Sequence, residues 1–145
     1  MSFRQASPAT APRLIILWWV LTVSYAALIF HLSSLSKPAP FLDGIMKYHT
    51  DALLHGVEYG VLGWLLMGSL TLSLPILGRR ELVFIAWVLC VLYAVSDEWH
   101  QSWVPGREAS SMDLAADAVG GLIGIIVRDR TTRKKRDLHA SHPTV

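Results

Sequence analysis

The stretch from Leu14 to Leu32 constrains the fold more than any other feature, because it carries no charge and its only ionisable groups are Tyr25 and His31. A helix rises about 1.5 Å per residue and the hydrocarbon core of a bilayer is about 30 Å thick, so such a run reads as one membrane span. A cleaved signal peptide is the alternative, since Ser24-Tyr25-Ala26 follows a basic flank and an apolar run. The uncharged stretch continues to Leu32, beyond the usual apolar core of such a peptide, which favours a retained helix. Composition agrees: 52% of the 145 residues are hydrophobic and 17% charged, too little solvating charge for a free cytosolic enzyme. Cys90 is the only cysteine, which excludes a disulfide scaffold.

Three further apolar runs follow. The second begins near Leu53 and continues to Leu77, with Pro75 and Gly78 as stop signals before Arg79 and Arg80. The third, Leu82 to Ser96, and the fourth, Leu114 to Val127, are too short to span as they stand and must each extend by roughly one to two turns. The third then reaches His100 and Gln101, and the fourth reaches back to Ala109. Asp97 and Asp113 in those extensions, and Asp117 within the fourth run itself, then lie in the membrane thickness, with Glu98 close beneath its surface.

Lysines and arginines give the orientation. If the amino terminus is cytoplasmic, that side receives ten of them, Arg4, Arg13, Arg79, Arg80 and the six from Arg128 to Arg136, against three on the other side, Lys37, Lys47 and Arg107. The expected fold is all-α, an integral membrane four-helix bundle with both termini cytoplasmic. Residues 1–13 form a cytoplasmic tail, 14–127 the membrane domain and 128–145 a basic cytoplasmic tail. That tail reads as a solvated stop and lipid-headgroup anchor and not as a nucleic-acid site. Residues 1–12 and 138–145 read as mobile ends.

Within this frame Asp51, His55, Glu58 and Tyr59 fall at helical spacings of three and four at the outer end of span two. Asp97, His100 and Gln101 repeat the spacing on span three. Asp113 and Asp117 are four apart on span four, just after Arg107 and a Pro105-Gly106 turn. All three groups meet at one side of the membrane, and span one contributes little. A carboxylate inside a bilayer costs several kcal/mol unless paired, hydrated or neutralised, so stability alone would replace these acids with leucine. The set combines potential acids and bases, histidines that titrate near neutrality and an arginine suited to phosphate or carboxylate. A hydrogen-bonded network joining the helices is the competing reading for any single residue; the whole set on one face points to a functional site.

Other features are plainer. His55 with Glu58, and Asp97 with His100, could present ligands to one ion, but neither pair is a specific metal signature; no metal is assigned and the cofactor is unknown. Gly56 with Gly60, and Gly120 with Gly124, form small faces that let helices approach closely. Trp99 and Trp103 suit an outer aromatic belt, while Trp18, Trp19, Trp64 and Trp87 face lipid or core. His31 belongs at the outer interface. Ser33, Ser34 and Ser36 have no evident base, and no P-loop or dinucleotide fingerprint occurs.

The run Asp97-Glu98-Trp99-His100-Gln101-Ser102-Trp103-Val104-Pro105-Gly106-Arg107-Glu108, followed by Asp113 and Asp117-Ala118-Val119-Gly120, resembles the signature of VanZ-like membrane proteins. The segment from Asp51 to Gly63 is similar to that family's other motif, and Phe30-His31-Leu32-Ser33-Ser34 to the end of its first span. The family pattern usually has lysine after the first aspartate and an aromatic after the histidine, where this chain has Ala52 and Gly56.

The resemblance implies a small bacterial inner-membrane protein, related to one that gives low-level resistance to the glycopeptide teicoplanin. The expected function is binding or modification of a cell-envelope component, a lipid or peptidoglycan-precursor headgroup. Asp97, Glu98, His100, His55, Asp113 and Asp117 are the acid, base or orienting residues. Arg107, Gln101, Glu58, Tyr59 and Asp51 are the substrate-binding ones. The expected partners are membrane lipids and an envelope lipid or glycopeptide ligand, without nucleic acid. The alternative is a non-catalytic binding or scaffold protein whose polar cluster only joins helices.

Overall fold

The structure is a computed structural model that describes residues 10–35, 49–107 and 109–141, and the side chains of 12–35, 52–107 and 109–134 among them. Among the described residues four helices follow in order: α1 Thr10–Ser33, α2 His49–Ser73, α3 Arg79–Gln101 and α4 Ser111–Ser141. No strand occurs among the described residues. α2 stops at Ser73, short of the apolar run's end at Leu77, because the residue before Pro75 is pushed out of helical backbone geometry. At its other end α4 continues through the basic segment to Ser141, past the point where a mobile end was expected. Arg, Lys and Thr interrupt a helix far less than Gly or Pro, and none of those two lies between Gly124 and Pro143.

Among the described residues three helices are long and apolar enough to cross a membrane, over Pro12–Ser33, Ala52–Ser73 and Arg79–Gln101. α4 is not among them: Asp113, Asp117 and Arg128 interrupt its apolar stretch. The surface of the bundle is nevertheless apolar on several sides, with Ile16, Val23, Leu53, Phe84, Leu92, Val119 and Ile123 all more than half exposed. In water such patches would be unfavourable, whereas lipid tails accept them.

α1 and α3 run parallel, as do α2 and α4 in the opposite direction, as the paired contacts below show. Burying apolar side chains gives little net drive for helix association once the surroundings are lipid, so close approach and interhelical hydrogen bonds carry it. α2 packs on α4 more extensively than any other pair. The two glycine faces explain this. A Cβ added to Gly120 would overlap the carbonyl oxygen of Gly56, and one on Gly124 that of Gly60, while Gly63 lies equally close to Gly121. The backbones interlock in the sequence 56, 120, 60, 124, and at 120 and 124 only a residue without a side chain permits it.

Polar links secure the other helices. Thr22 Oγ1 and Ser69 Oγ lie 2.9 Å apart between α1 and α2, and Trp19 Nε1 donates to Ser73 Oγ at 2.8 Å. Tyr93 of α3 donates to the Ala26 carbonyl of α1 at 2.5 Å, and Trp87 Nε1 donates to the Ala118 carbonyl of α4 at 3.1 Å. At the basic end Arg79 pairs with Asp129 at 2.5 Å. Arg128, expected among the solvated tail residues, is instead half-buried, with its guanidinium 4.2 Å and 4.4 Å from the ring centroids of Trp18 and Trp64. A weakly hydrated planar cation is stabilised on such faces, so Trp18 and Trp64 do more than face lipid or core.

Candidate functional site at the loop end of the bundle

The glycine contact between α2 and α4 determines what lies beside it. His55 precedes Gly56, Asp117 follows Ala116, and the Ala116 carbonyl oxygen lies 3.4 Å from a Cβ built on Gly56. With the backbones this close, His55 Nδ1 reaches both oxygens of Asp117, at 3.2 Å and 3.4 Å. Asp117 is 1% exposed and His55 9%. A carboxylate only accepts, so Nδ1 carries the hydrogen of this bond and the neutral ring keeps its lone pair on Nε2. Glu58 is half-buried one turn further along α2, within coulombic range of His55, Asp117, Asp97 and Arg107. Tyr59, fully buried, lies within that range of Asp97 and Asp117.

Asp97 is also buried, and α1 supplies one of its partners. Ser33 Oγ donates to Asp97 Oδ1 at 2.6 Å, and Gln101 Nε2 donates to Oδ2 at 3.1 Å. The expectation that span one contributes little is therefore corrected: the end of α1 meets the end of α3 because these two helices run parallel and finish at the same level. Ser34 Oγ lies 3.0 Å from His100 Nε2, and the His100 ring stacks on Phe30 with centroids 4.2 Å apart. Ser34 thus has a histidine beside it, contrary to the reading that no base is near. The hydroxyl's single hydrogen goes to the Phe30 carbonyl at 2.6 Å, however, so His100 donates to the serine oxygen in this arrangement. His100 serves here to join α1 and α3.

The loop between α3 and α4 is built by local rules. Val104-Pro105-Gly106-Arg107 is a turn closed by Arg107 N–H donating to the Val104 carbonyl at 3.1 Å, with Gly106 at φ 82°. Proline followed by a residue with positive φ is the type II pattern, which needs glycine at the second position. Ser110 then caps α4, its Oγ accepting from the Asp113 N–H at 3.3 Å. Glu98 Oε1 accepts from the Ser110 N–H, so the carboxylate sits against the positive end of α4 and ties α3 to it. Asp113 lies in the first turn, where an acid complements the helix dipole. Local structure accounts for much of the placing of Glu98 and Asp113.

Among the described residues three buried polar atoms at this end have no hydrogen-bond partner: Tyr59 Oη, Glu98 Oε2 and Arg107 Nε. They come from α2, α3 and the loop before α4. Buried polar groups in native proteins are almost always satisfied, so three without a described partner at one end of the bundle need a reason. Asp51 lies in α2, but its side chain is outside the described residues. Among the described residues no group of three histidine, cysteine or acidic side chains is arranged to hold a metal ion. The two pairs considered for that role diverge, His55 toward Asp117 and His100 toward Ser34. Phe30, Ser33 and Ser34 are the contributors that the spacing did not reveal. The signal that could have found them was the likeness of Phe30-His31-Leu32-Ser33-Ser34 to the end of the family's first span.

Membrane-length helices that enclose carboxylates and a histidine at one end of the bundle define a helical membrane protein with a polar site at that end. The chain belongs to the VanZ/LLP1 family, whose model matches residues 4–128 and so covers all four helices as far as the basic end of α4. Comparison with curated proteins and with solved structures finds no match.

Proposed function

We propose that α4 crosses the membrane as a fourth span beside α2, with both termini cytoplasmic in a bacterial inner membrane. The polar end of the bundle then faces outward and binds or modifies the headgroup of an envelope lipid or peptidoglycan precursor. The observation that carries this reading is the buried His55–Asp117 pair at the same end of the bundle as atoms of Arg107, Glu98 and Tyr59 that no described residue partners. Asp117 orients His55 through Nδ1, which leaves Nε2 to exchange a proton. Arg107 receives an anionic group, for which a planar guanidinium is well suited. Glu98 and Tyr59 offer further hydrogen bonds, and Glu58 with Asp113 sets the local field. Asp97, held by Ser33 and Gln101, and His100, held by Ser34, keep α1 and α3 in register around the site.

The test compares cells lacking the protein with cells carrying wild type, His55→Gln, Asp117→Asn or Arg107→Ala, under envelope stress and with teicoplanin. Envelope lipids and precursors are profiled by mass spectrometry. A headgroup-altered species that requires His55 and Asp117 is the expected result. A non-catalytic binder gives saturable retention of an unaltered lipid and no new species. Complementation by all three variants at wild-type level would reduce the cluster to a device for joining helices.

A further inference from the structure

A second feature lies at the opposite, basic end of the bundle and is independent of the proposed headgroup site. A groove of about 430 Å³ runs between α3 and α4, lined by Arg79, Arg80, Val83, Phe84, Trp87 and Leu122. Its two arginines stand at the start of α3, and its apolar residues follow over the next two turns, a length of about 12 Å toward the middle of the bundle. Charge is thus confined to the mouth. The wall is fixed from behind, because Trp87 Nε1 donates to the Ala118 carbonyl on α4. Phe84 is 64% exposed, so the groove opens on the apolar outer surface.

The two arginines are not equivalent. Arg79 pairs with Asp129, which is 7% exposed, and so is held in place. No described acidic side chain pairs with Arg80, which is exposed. Arg130, Arg133 and Lys134 on the continuation of α4 add positive charge at the same end. A cationic mouth above an apolar trough matches a molecule with an anionic head and a hydrocarbon tail. A second copy of this chain docking by the same face would bring like charges together, and a soluble anion would leave the trough uncovered.

The geometry points to a binding site for an anionic glycerophospholipid, with its phosphate on Arg80 beside the Arg79–Asp129 pair and one acyl chain against Phe84, Trp87 and Leu122. The lipid closes the seam between α3 and α4 at the end where no loop joins them. Basic pockets between membrane helices recognise anionic lipids in this way.

The experiment uses the full-length protein in neutral detergent, with phosphatidylglycerol or phosphatidylcholine added and bound lipid counted by native mass spectrometry. Phosphatidylglycerol is expected to be retained in preference to phosphatidylcholine. Arg80→Gln should weaken that retention about fivefold, the contribution of one basic residue at a membrane surface. Leu122→Trp, which fills the trough without changing charge, should also weaken it. Arg130→Gln, the same charge change outside the groove, should not. Equal retention of the two lipids overturns the proposal, as does an Arg130→Gln loss matching that of Arg80→Gln. If Leu122→Trp folds and retains lipid normally, the trough is not the acyl site; if it does not fold, the surface pair Arg80→Gln and Arg130→Gln still decides.

Discussion

Alanine at the glycines between α2 and α4 should divide these residues into two kinds. On Gly120 and Gly124 the new methyl overlaps the carbonyl oxygens of Gly56 and Gly60, whereas on Gly56 and Gly60 it meets its nearest atoms at 3.4 Å, an ordinary contact. Backbone oxygens cannot rotate aside, so at Gly120 or Gly124 the helices must part by on the order of 1 Å, enough to forfeit up to about half the dispersion attraction across the seam. Overpacking of this kind costs about 1–3 kcal/mol, and a clash against backbone belongs in the upper half of that range. Alanine returns about 1 kcal/mol through its helix propensity. Stretching His55–Asp117 beyond its 3.2 Å removes a buried hydrogen bond that contributes about 1 kcal/mol. The net loss is about 2–3 kcal/mol for Gly120→Ala or Gly124→Ala, against a change near zero or a slight gain for Gly56→Ala and Gly60→Ala. Reversible unfolding in mixed micelles with increasing dodecyl sulfate, followed by circular dichroism, measures all four. Equal effects at all four positions, or a greater loss at Gly56 than at Gly120, would refute the interlocked packing.

Three other perturbations test separate parts of the structure. Ser33→Ala deprives Asp97 Oδ1 of its donor and should destabilise by about 1–3 kcal/mol in the same unfolding assay, whereas Ser33→Thr, which keeps the hydroxyl, should lose less. Gly106→Ala forces a side chain into left-handed backbone at a cost of about 1–2 kcal/mol; it should impair Arg107-dependent complementation while α3 and α4 keep their helicity by circular dichroism. Phe30→Ala removes the ring that stacks on His100, and the imidazole carbon-proton resonances in the NMR spectrum should lose their ring-current shift. If they do not move, the two rings are not stacked.

Much of the architecture was legible in the chain itself. The runs at Leu14, Leu53, Leu82 and Leu114 each became a helix, and the two short ones lengthened over Asp97 and Asp113, α3 to a length and composition that can cross a bilayer. Gly56, Gly60, Gly120 and Gly124 announced a close helix contact, and Pro105-Gly106 a turn. The cation cage around Arg128 was not legible, because Trp18, Trp64 and Arg128 lie on three helices with no common spacing. The split of the polar residues was hidden for the same reason: His55 and His100 look alike in sequence, yet one meets Asp117 and the other Ser34.

What the sequence by itself determined is where the helices lie and which residues must be carried into the bundle, since rise per residue and membrane thickness leave little freedom. Only the tertiary structure decided which polar group answers which. Helical spacing reports the face a residue occupies, but a hydrogen bond depends on the distance and direction between two axes. Here the direct contact of the Gly56 and Gly120 backbones set one of those distances, and the parallel course of α1 and α3 set the other. That is why Ser33 could become the partner of Asp97 although no spacing along the chain relates the two.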